Sequence, residues 1–136
     1  MASRNIEELD DRLKHAWLFA KHKWADLYPC WPQPFITCTH RTNQEQHILY
    51  QQGRTAPGKI VTWAKPGTSA HNRLPSMAFD IAFITVDKKL DWSPHLFQKF
   101  YELIKPLGLE WGGSWKTKKD APHFEIKDWK TKIPLA

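Results

Sequence analysis

Cysteine is scarce in this sequence: among 136 residues only Cys30 and Cys38 occur. Eight apart and without a neighbouring histidine pair, they do not make a zinc-ribbon pattern. Two free thiols in a reducing compartment are the simpler expectation than a disulfide. Long apolar runs are also missing. No stretch approaches the eighteen or more apolar residues, roughly, that a helical membrane span requires. The first eight residues, Met1 to Glu8, lack a basic region followed by an apolar core, so no secretory signal is expected. Internal repeats, low-complexity tracts and linkers are absent as well. One domain over residues 1–136 is the resulting expectation, long enough to bury a core without staples.

What is present is ordinary in bulk and unusual in detail. The composition is 41% hydrophobic and 25% charged, as in globular proteins generally. The net charge of +6 favours an anionic partner such as nucleic acid, a bacterial envelope or acidic peptides, without choosing among them. Eight tryptophans are spread over the whole chain. Most are expected to pack in the core and its rim, leaving one or two to line a substrate groove.

The hydrophobic pattern orders the elements. Asn5 with Glu8 resembles a capping box, and Ile6, Leu9, Leu13, Ala16, Trp17, Ala20, Trp24 and Leu27 recur at helical spacing, so a helix is predicted over residues 6–28. Prolines 29, 32 and 34 end it. Phe35 to Thr39 reads as a short strand, and Thr42 with Glu45 caps a second helix reaching about Gln52, closed by Gly53. Lys59 to Trp63 reads as another short strand, and Met77 to Val86 as the longest and most central one. Ser93-Pro94 opens a third helix that Gly108 closes. Leu109–Trp111 and His123–Ile126 are further strand candidates. The class predicted is α+β, a small single domain with a mainly antiparallel sheet and flanking helices.

Two segments carry the chemistry, Ser69 to Asp80 and Asp120 to Glu125. Strand alternation sets Asp80 among Ala78, Ala82 and Ile84, and small apolar neighbours around a carboxylate suggest a pocket floor with room for an ion. His71 precedes that strand, and Asp120 stands three residues before His123. Two neutral imidazoles and one carboxylate form a zinc shell that keeps a fourth position open. A carboxylate outside that shell would serve as general base. Asp120 fits, and the lysines around it are expected to hold it ionised. Glu110 and Glu125 are rivals, and Glu125 is alternatively a partner that orients a ligand histidine. Arg41 and Arg54 are candidate electrophiles or carboxylate clamps.

These motifs resemble the zinc D-Ala-D-Ala carboxypeptidase family, which includes vancomycin-resistance D,D-peptidases and phage L-alanyl-D-glutamate endolysins. Its signature is S-x-H-x-x-G-x-A-x-D followed by D/E-x-x-H, met here by Ser69-Ala-His71, by Ala78-Phe-Asp80 and by Asp120-Ala-Pro-His123. Thr39-His-Arg41 with Gln46 and Tyr50, Gln52-Gly-Arg-Thr55, and Leu109 to Trp115 are similar too, so the resemblance spans about residues 35–127. The first motif is two residues longer here, with Leu74-Pro75-Ser76 in place of the usual glycine, and is read as a bulged loop that returns His71 to the metal.

The resemblance implies one Zn²⁺ per chain held by His71, Asp80 and His123, with Asp120 as base and Arg41 stabilising the substrate carbonyl. Arg54, Gln46, Ser69 and Trp111 are the candidate substrate-binding residues, with Glu125 supporting a ligand. The fold implied is that of lysostaphin-like peptidases and the hedgehog signalling domain. The function implied is hydrolysis of peptidoglycan stem peptides. The expectation is a monomeric, phage-type endolysin, made in the cytoplasm and acting on the cell wall after release. Positive charge would guide it to an anionic envelope. A D-Ala-D-Ala carboxypeptidase is the alternative within the family. Outside it stand a non-catalytic zinc domain and a basic nucleic-acid or glycan-binding module. Against the last, the basic residues are scattered among turns, and the tryptophan spacing matches no common RNA-binding signature.

Overall fold

The computed structural model describes residues 2–135. Four antiparallel strands, β1 (Gln33–Cys38), β2 (Ala78–Ile84), β3 (Leu109–Trp111) and β4 (His123–Ile126), form one sheet in the order β1-β2-β4-β3. Three α-helices accompany it: α1 (Asp11–Leu27), α2 (Asn43–Gln51) and α3 (Pro94–Ile104). The predicted α+β class and the central position of the Met77–Val86 region both hold.

Alternation along the strands divides the sheet into two faces. Phe79 and Phe83 of β2 and Phe124 of β4 pack against Trp17 and Trp24 of α1 and Phe97 and Phe100 of α3. These rings meet edge-on or tilted at centroid separations of 5.0–6.0 Å, the arrangement that ring quadrupoles favour. Burying each stabilises the fold by about 1.5–3 kcal/mol. The opposite face of the strands presents Asp80, His123 and Glu125.

Two expectations need correction. The helix predicted over 6–28 is broken. A 3-10 turn, Ile6–Glu8, precedes α1, because Asp10 stops the first turn and caps the second element, its side chain accepting from Arg12 N at 3.0 Å. The Asn5 side chain accepts from Glu7 N, and Glu8 N donates to the Asn5 backbone carbonyl instead of to that side chain. Leu9, inside the break, is buried and bridges to Ser76. The strand predicted at Lys59–Trp63 has β-type residues but no ladder. Side chains bind its carbonyls instead: Gln52 Nε2 reaches Lys59 O, Arg54 Nη2 reaches Thr62 O and Gln46 Nε2 reaches Ala64 O.

The capping box at Thr42 and Glu45 is present, and Gly53 follows the helix at φ +81°. Ser93 precedes α3 but caps nothing with its side chain, which is bonded to Asp91. Both cysteines are free thiols, Cys30 exposed and Cys38 buried.

Candidate metal centre and active site

Strand register brings the first donors together. Asp80 lies opposite Cys38 on one side and His123 on the other, and Ala78 lies opposite Glu125. Period-2 alternation therefore sets Asp80, His123 and Glu125 on the face away from the aromatic core. The 60–64 segment, the Ala70–Asn72 turn and Leu49 of α2 wall the space above it.

His71 comes from such a loop. A 3-10 turn, Ala70–Asn72, carries it, with Ser69 Oγ accepting from His71 N at 3.2 Å. Asn72 Oδ1 accepts from Gly67 N and Ser69 N, and Asn72 Nδ2 donates to Arg41 O. Arg41 N in turn donates to His71 O at 2.9 Å. Ser76, buried, bonds Thr39 O and Ala78 O. The enlarged segment is thus tied at both ends, and His71 reaches the strands.

Three atoms converge. His71 Nε2 lies 3.1 Å from Asp80 Oδ1 and 3.2 Å from His123 Nδ1, and His123 Nδ1 lies 3.0 Å from Asp80 Oδ1. The remaining ring nitrogens fix the tautomers. His71 Nδ1 is 2.8 Å from Thr39 O, a carbonyl that only accepts, so it carries the hydrogen. His123 Nε2 likewise donates to Glu125 Oε1 at 2.7 Å. Neutral imidazoles so held turn two bare nitrogen lone pairs toward the Asp80 oxygen.

Lone pairs facing one another repel unless a cation lies between them. Without a metal the rings take up protons. Burial opposes charge on His71, yet the Asp80 carboxylate raises it to about 10, and His123 rises to about 9 against the same burial. Burial likewise opposes ionisation of Asp80, and the two histidines overcome it and hold the carboxyl well below its usual range. The edge of a tetrahedral zinc shell with bonds of about 2.0–2.1 Å is about 3.3–3.4 Å. The observed triangle is within a few tenths of that, so His71, Asp80 and His123 fit zinc.

Cys38 also offers a donor near His71 and Asp80, all within 4.8 Å of one another. Its sulfur, however, is 3.6 Å from His71 Nδ1, across the ring from the nitrogen that meets Asp80 and His123. That places Cys38 behind the histidine. Arg41 lies beside the site, its Nη2 3.5 Å from Cys38 Sγ and 3.9 Å from Asp80 Oδ2. Gln46 Oε1 accepts from Arg41 Nη1 at 2.8 Å. Arg41 Nε is buried and has no partner among the described residues.

Asp120 sits at the rim on the turn that leads into β4, its carbonyl accepting from His123 N at 3.1 Å. The lysines do not lower its pKa as expected. Burial and then the Asp80 charge push its carboxyl up, against His123, His71 and Arg41. Asp120 shares its exposure with the neighbouring Lys116, Lys118 and Lys119, where water screens charge between them. Glu110, opposite Glu125 on β3, is also raised, by burial and by Glu125 itself.

One cavity of about 870 Å³ encloses these groups. Arg41, Ser69, His71, Asp80, Asp120, His123 and Glu125 line it, together with Trp63, Trp92, Trp115 and Trp129. Four tryptophans therefore face the groove, more than the one or two expected. Three of the expected substrate contacts do not line it. Trp111 is buried, stacked on Tyr101 and bonded through Nε1 to Ala121 O. Gln46 is fully buried between Arg41 and the 62–64 segment. Arg54 is spent on Tyr50 O and Thr62 O, and its guanidinium lies 3.8 Å over the Tyr50 ring.

Sequence reasoning missed several supports. Asn72, Thr39 and Ser76 shape the His71 approach through ordinary polar contacts that leave no pattern. Gly112 had a visible signal, the Gly112-Gly113 pair. A Cβ at 112 would sit 2.3 Å from Asp120 O, and one at 113 would sit 2.1 Å from the Trp111 ring.

Known proteins resemble this chain in sequence and fold. The family model for D-alanyl-D-alanine carboxypeptidase matches residues 62–126. Over 100 residues the chain is 40% identical to the peptidoglycan L-alanyl-D-glutamate endopeptidase CwlK of Bacillus subtilis, covering 67% of this chain and 59% of that protein. The resemblance read from the motifs holds. The chain spans less than two thirds of the length of that curated relative. Two crystal structures share the fold at 19% identity. The Serratia marcescens L-Ala D-Glu endopeptidase ChiX superposes with a TM-score of 0.64 over 95% of this chain and 92% of its own. The L,D-carboxypeptidase DacB from Streptococcus pneumonia superposes with 0.56 over 96% and 77%.

Proposed function

We propose that this chain is a zinc-dependent peptidase that hydrolyses peptidoglycan stem peptides at the L-alanyl-D-glutamate bond, as a phage-type endolysin does. The observation that carries the reading is the triangle of His71 Nε2, Asp80 Oδ1 and His123 Nδ1, its lone pairs aimed at one point inside a groove. The 40% identity to CwlK supports the choice of bond.

When bound, zinc would supply Lewis acidity and a water of lowered pKa. The protein's own groups do the rest. Thr39 O and Glu125 hold the ligand rings in the metal-binding tautomers. Asp120, at the rim, accepts the proton of the attacking water and passes it to the leaving amine. Arg41, fixed by Gln46, stabilises the oxyanion that develops on the substrate carbonyl. Its unpartnered buried Nε keeps donor capacity in reserve beside the site. The surplus of positive charge suits an anionic wall and acidic stem peptides. Among the described residues no helix is long and apolar enough to cross a membrane. In this proposal the protein acts as a monomer that reaches the wall from the cytoplasm after release.

Metal removal tests the reading. Chelation is expected to abolish hydrolysis of purified peptidoglycan, with stoichiometric Zn²⁺ restoring it. Undiminished hydrolysis by protein shown to be metal-free contradicts it.

A further inference from the structure

The segment Ile60 to Ala64 forms one wall of the groove that holds the histidine–aspartate triangle, all five residues lining it. From Val61 to Ala64 its burial alternates with period 2. Thr62 and Ala64 are half-buried, whereas Val61 and Trp63 are 55% and 56% exposed. The hydrogen bonds follow the same alternation. Thr62 O accepts from Arg54 Nη2 at 3.0 Å and Ala64 O from Gln46 Nε2 at 2.8 Å, and Thr62 Oγ1 takes the Ala64 N–H at 3.2 Å. The N–H and C=O groups of Val61 and Trp63 have no partner among the described residues. The Thr62 N–H and the backbone groups of Ile60 have none there either, and Lys59 O, just before the run, accepts from Gln52 Nε2.

In a strand-like run, both backbone groups of one residue point to the same side, and those of the next residue to the other. Side chains from α2 and the turn after it occupy the even side. That leaves the odd side as an unpaired strand edge. Such an edge is a template for another chain, and proteins generally cover it or blunt it with charge. Here β-branched and aromatic residues occupy it, and it lies in the same cavity as the candidate metal centre. Gly53 holds the run from behind: a Cβ there would meet Ile60 N at 2.7 Å, so the two backbones touch.

We propose that Val61 and Trp63 form a substrate-docking edge, on which the peptide to be cut lies extended as an added strand and exchanges main-chain hydrogen bonds with them. This rests on the peptidase reading, since the occupant is that enzyme's substrate. Main-chain pairing recognises an extended backbone rather than particular side chains. It also assigns a purpose to a strand-like sequence that joins no sheet.

The test uses the zinc-loaded protein and a synthetic stem peptide. Val61→Pro and Trp63→Pro each remove one N–H, and each is expected to raise KM about tenfold while kcat changes little. Val61→Ala keeps the N–H and is expected to lose far less than Val61→Pro. Amide exchange followed by NMR supplies a readout independent of turnover and of how the proline variants fold. In wild-type protein, a bound non-cleavable stem peptide should protect the Val61 and Trp63 amides by tenfold or more. Hydrolysis with those amides unprotected overturns the docking edge and leaves the peptidase reading standing. No hydrolysis and no protection removes both.

Discussion

A methyl group at residue 112 would sit 2.3 Å from the Asp120 carbonyl oxygen and 3.0 Å from its Cβ. Asp120 N also donates to Gly112 O, so the two backbones touch where the candidate base is held. Gly112→Ala must therefore push the Asp120 turn outward, at about 1–3 kcal/mol of overpacking. Because His123 follows in the same turn, the displacement reaches the triangle. The expected result is at least a tenfold fall in kcat/KM with an unchanged far-UV circular dichroism spectrum, and equal kinetics would show that the turn adapts. Asp120→Asn probes the carboxylate itself. It removes the proton acceptor and leaves all three metal donors in place. Stoichiometric zinc with turnover reduced about 10²–10⁴-fold is expected, and a near-wild-type rate would move the base to Glu110 or Glu125.

Elements set these residues in place, and their legibility follows how local their causes are. The Thr42 capping box and the glycines after α2 and α3 act within a few residues, so sequence spacing shows them. The break at Asp10 does not show, because its reasons are distant. Asp10 is fully buried, and its carboxylate accepts from Arg12 Nε and Nη2 at 2.9 Å each and from Leu135 N at 2.7 Å. It joins the start of α1 to the C-terminal segment 125 positions away. The Lys59–Trp63 segment misled for a related reason: β-type composition gave no sign that side chains of α2 and its following turn would take its carbonyls.

Asp10 also yields a pH prediction. Burial works against its charge, but the Arg12 and Leu135 contacts outweigh it and lower the pKa below 3.8. A carboxyl lowered in the folded state stabilises above its unfolded pKa and loses that contribution as pH falls through its folded value. Its stabilisation is thus complete above about pH 4–5 and fades below. Asp10→Ala is expected to cost about 2–4 kcal/mol at pH 7, leaving the helix start uncapped and Arg12 with only its bond to Ile133 O. That difference from wild type should shrink toward pH 3 in urea unfolding. A pH-independent difference would assign the effect to packing.

For the whole molecule, one sheet separates two tasks. Its aromatic face, packed on α1 and α3, supplies stability, and its other face carries the acidic and imidazole groups. The sequence periodicity already distinguished these faces at Asp80, where small apolar neighbours surrounded a carboxylate. His123 and Glu125 followed from the strand they share. Residues whose value lies in contacts across the chain were misassigned, and Gln46, Arg54 and Trp111 hold the walls of the groove without lining it. The function proposed for this groove is zinc-dependent cleavage of one stem-peptide bond. Mass spectrometry of muropeptides after digestion by the zinc-loaded protein tests it most directly. Fragments ending at L-alanine, with partners bearing a free glutamate amino group, are predicted. Release of terminal D-alanine alone, or intact stem peptides, would contradict it.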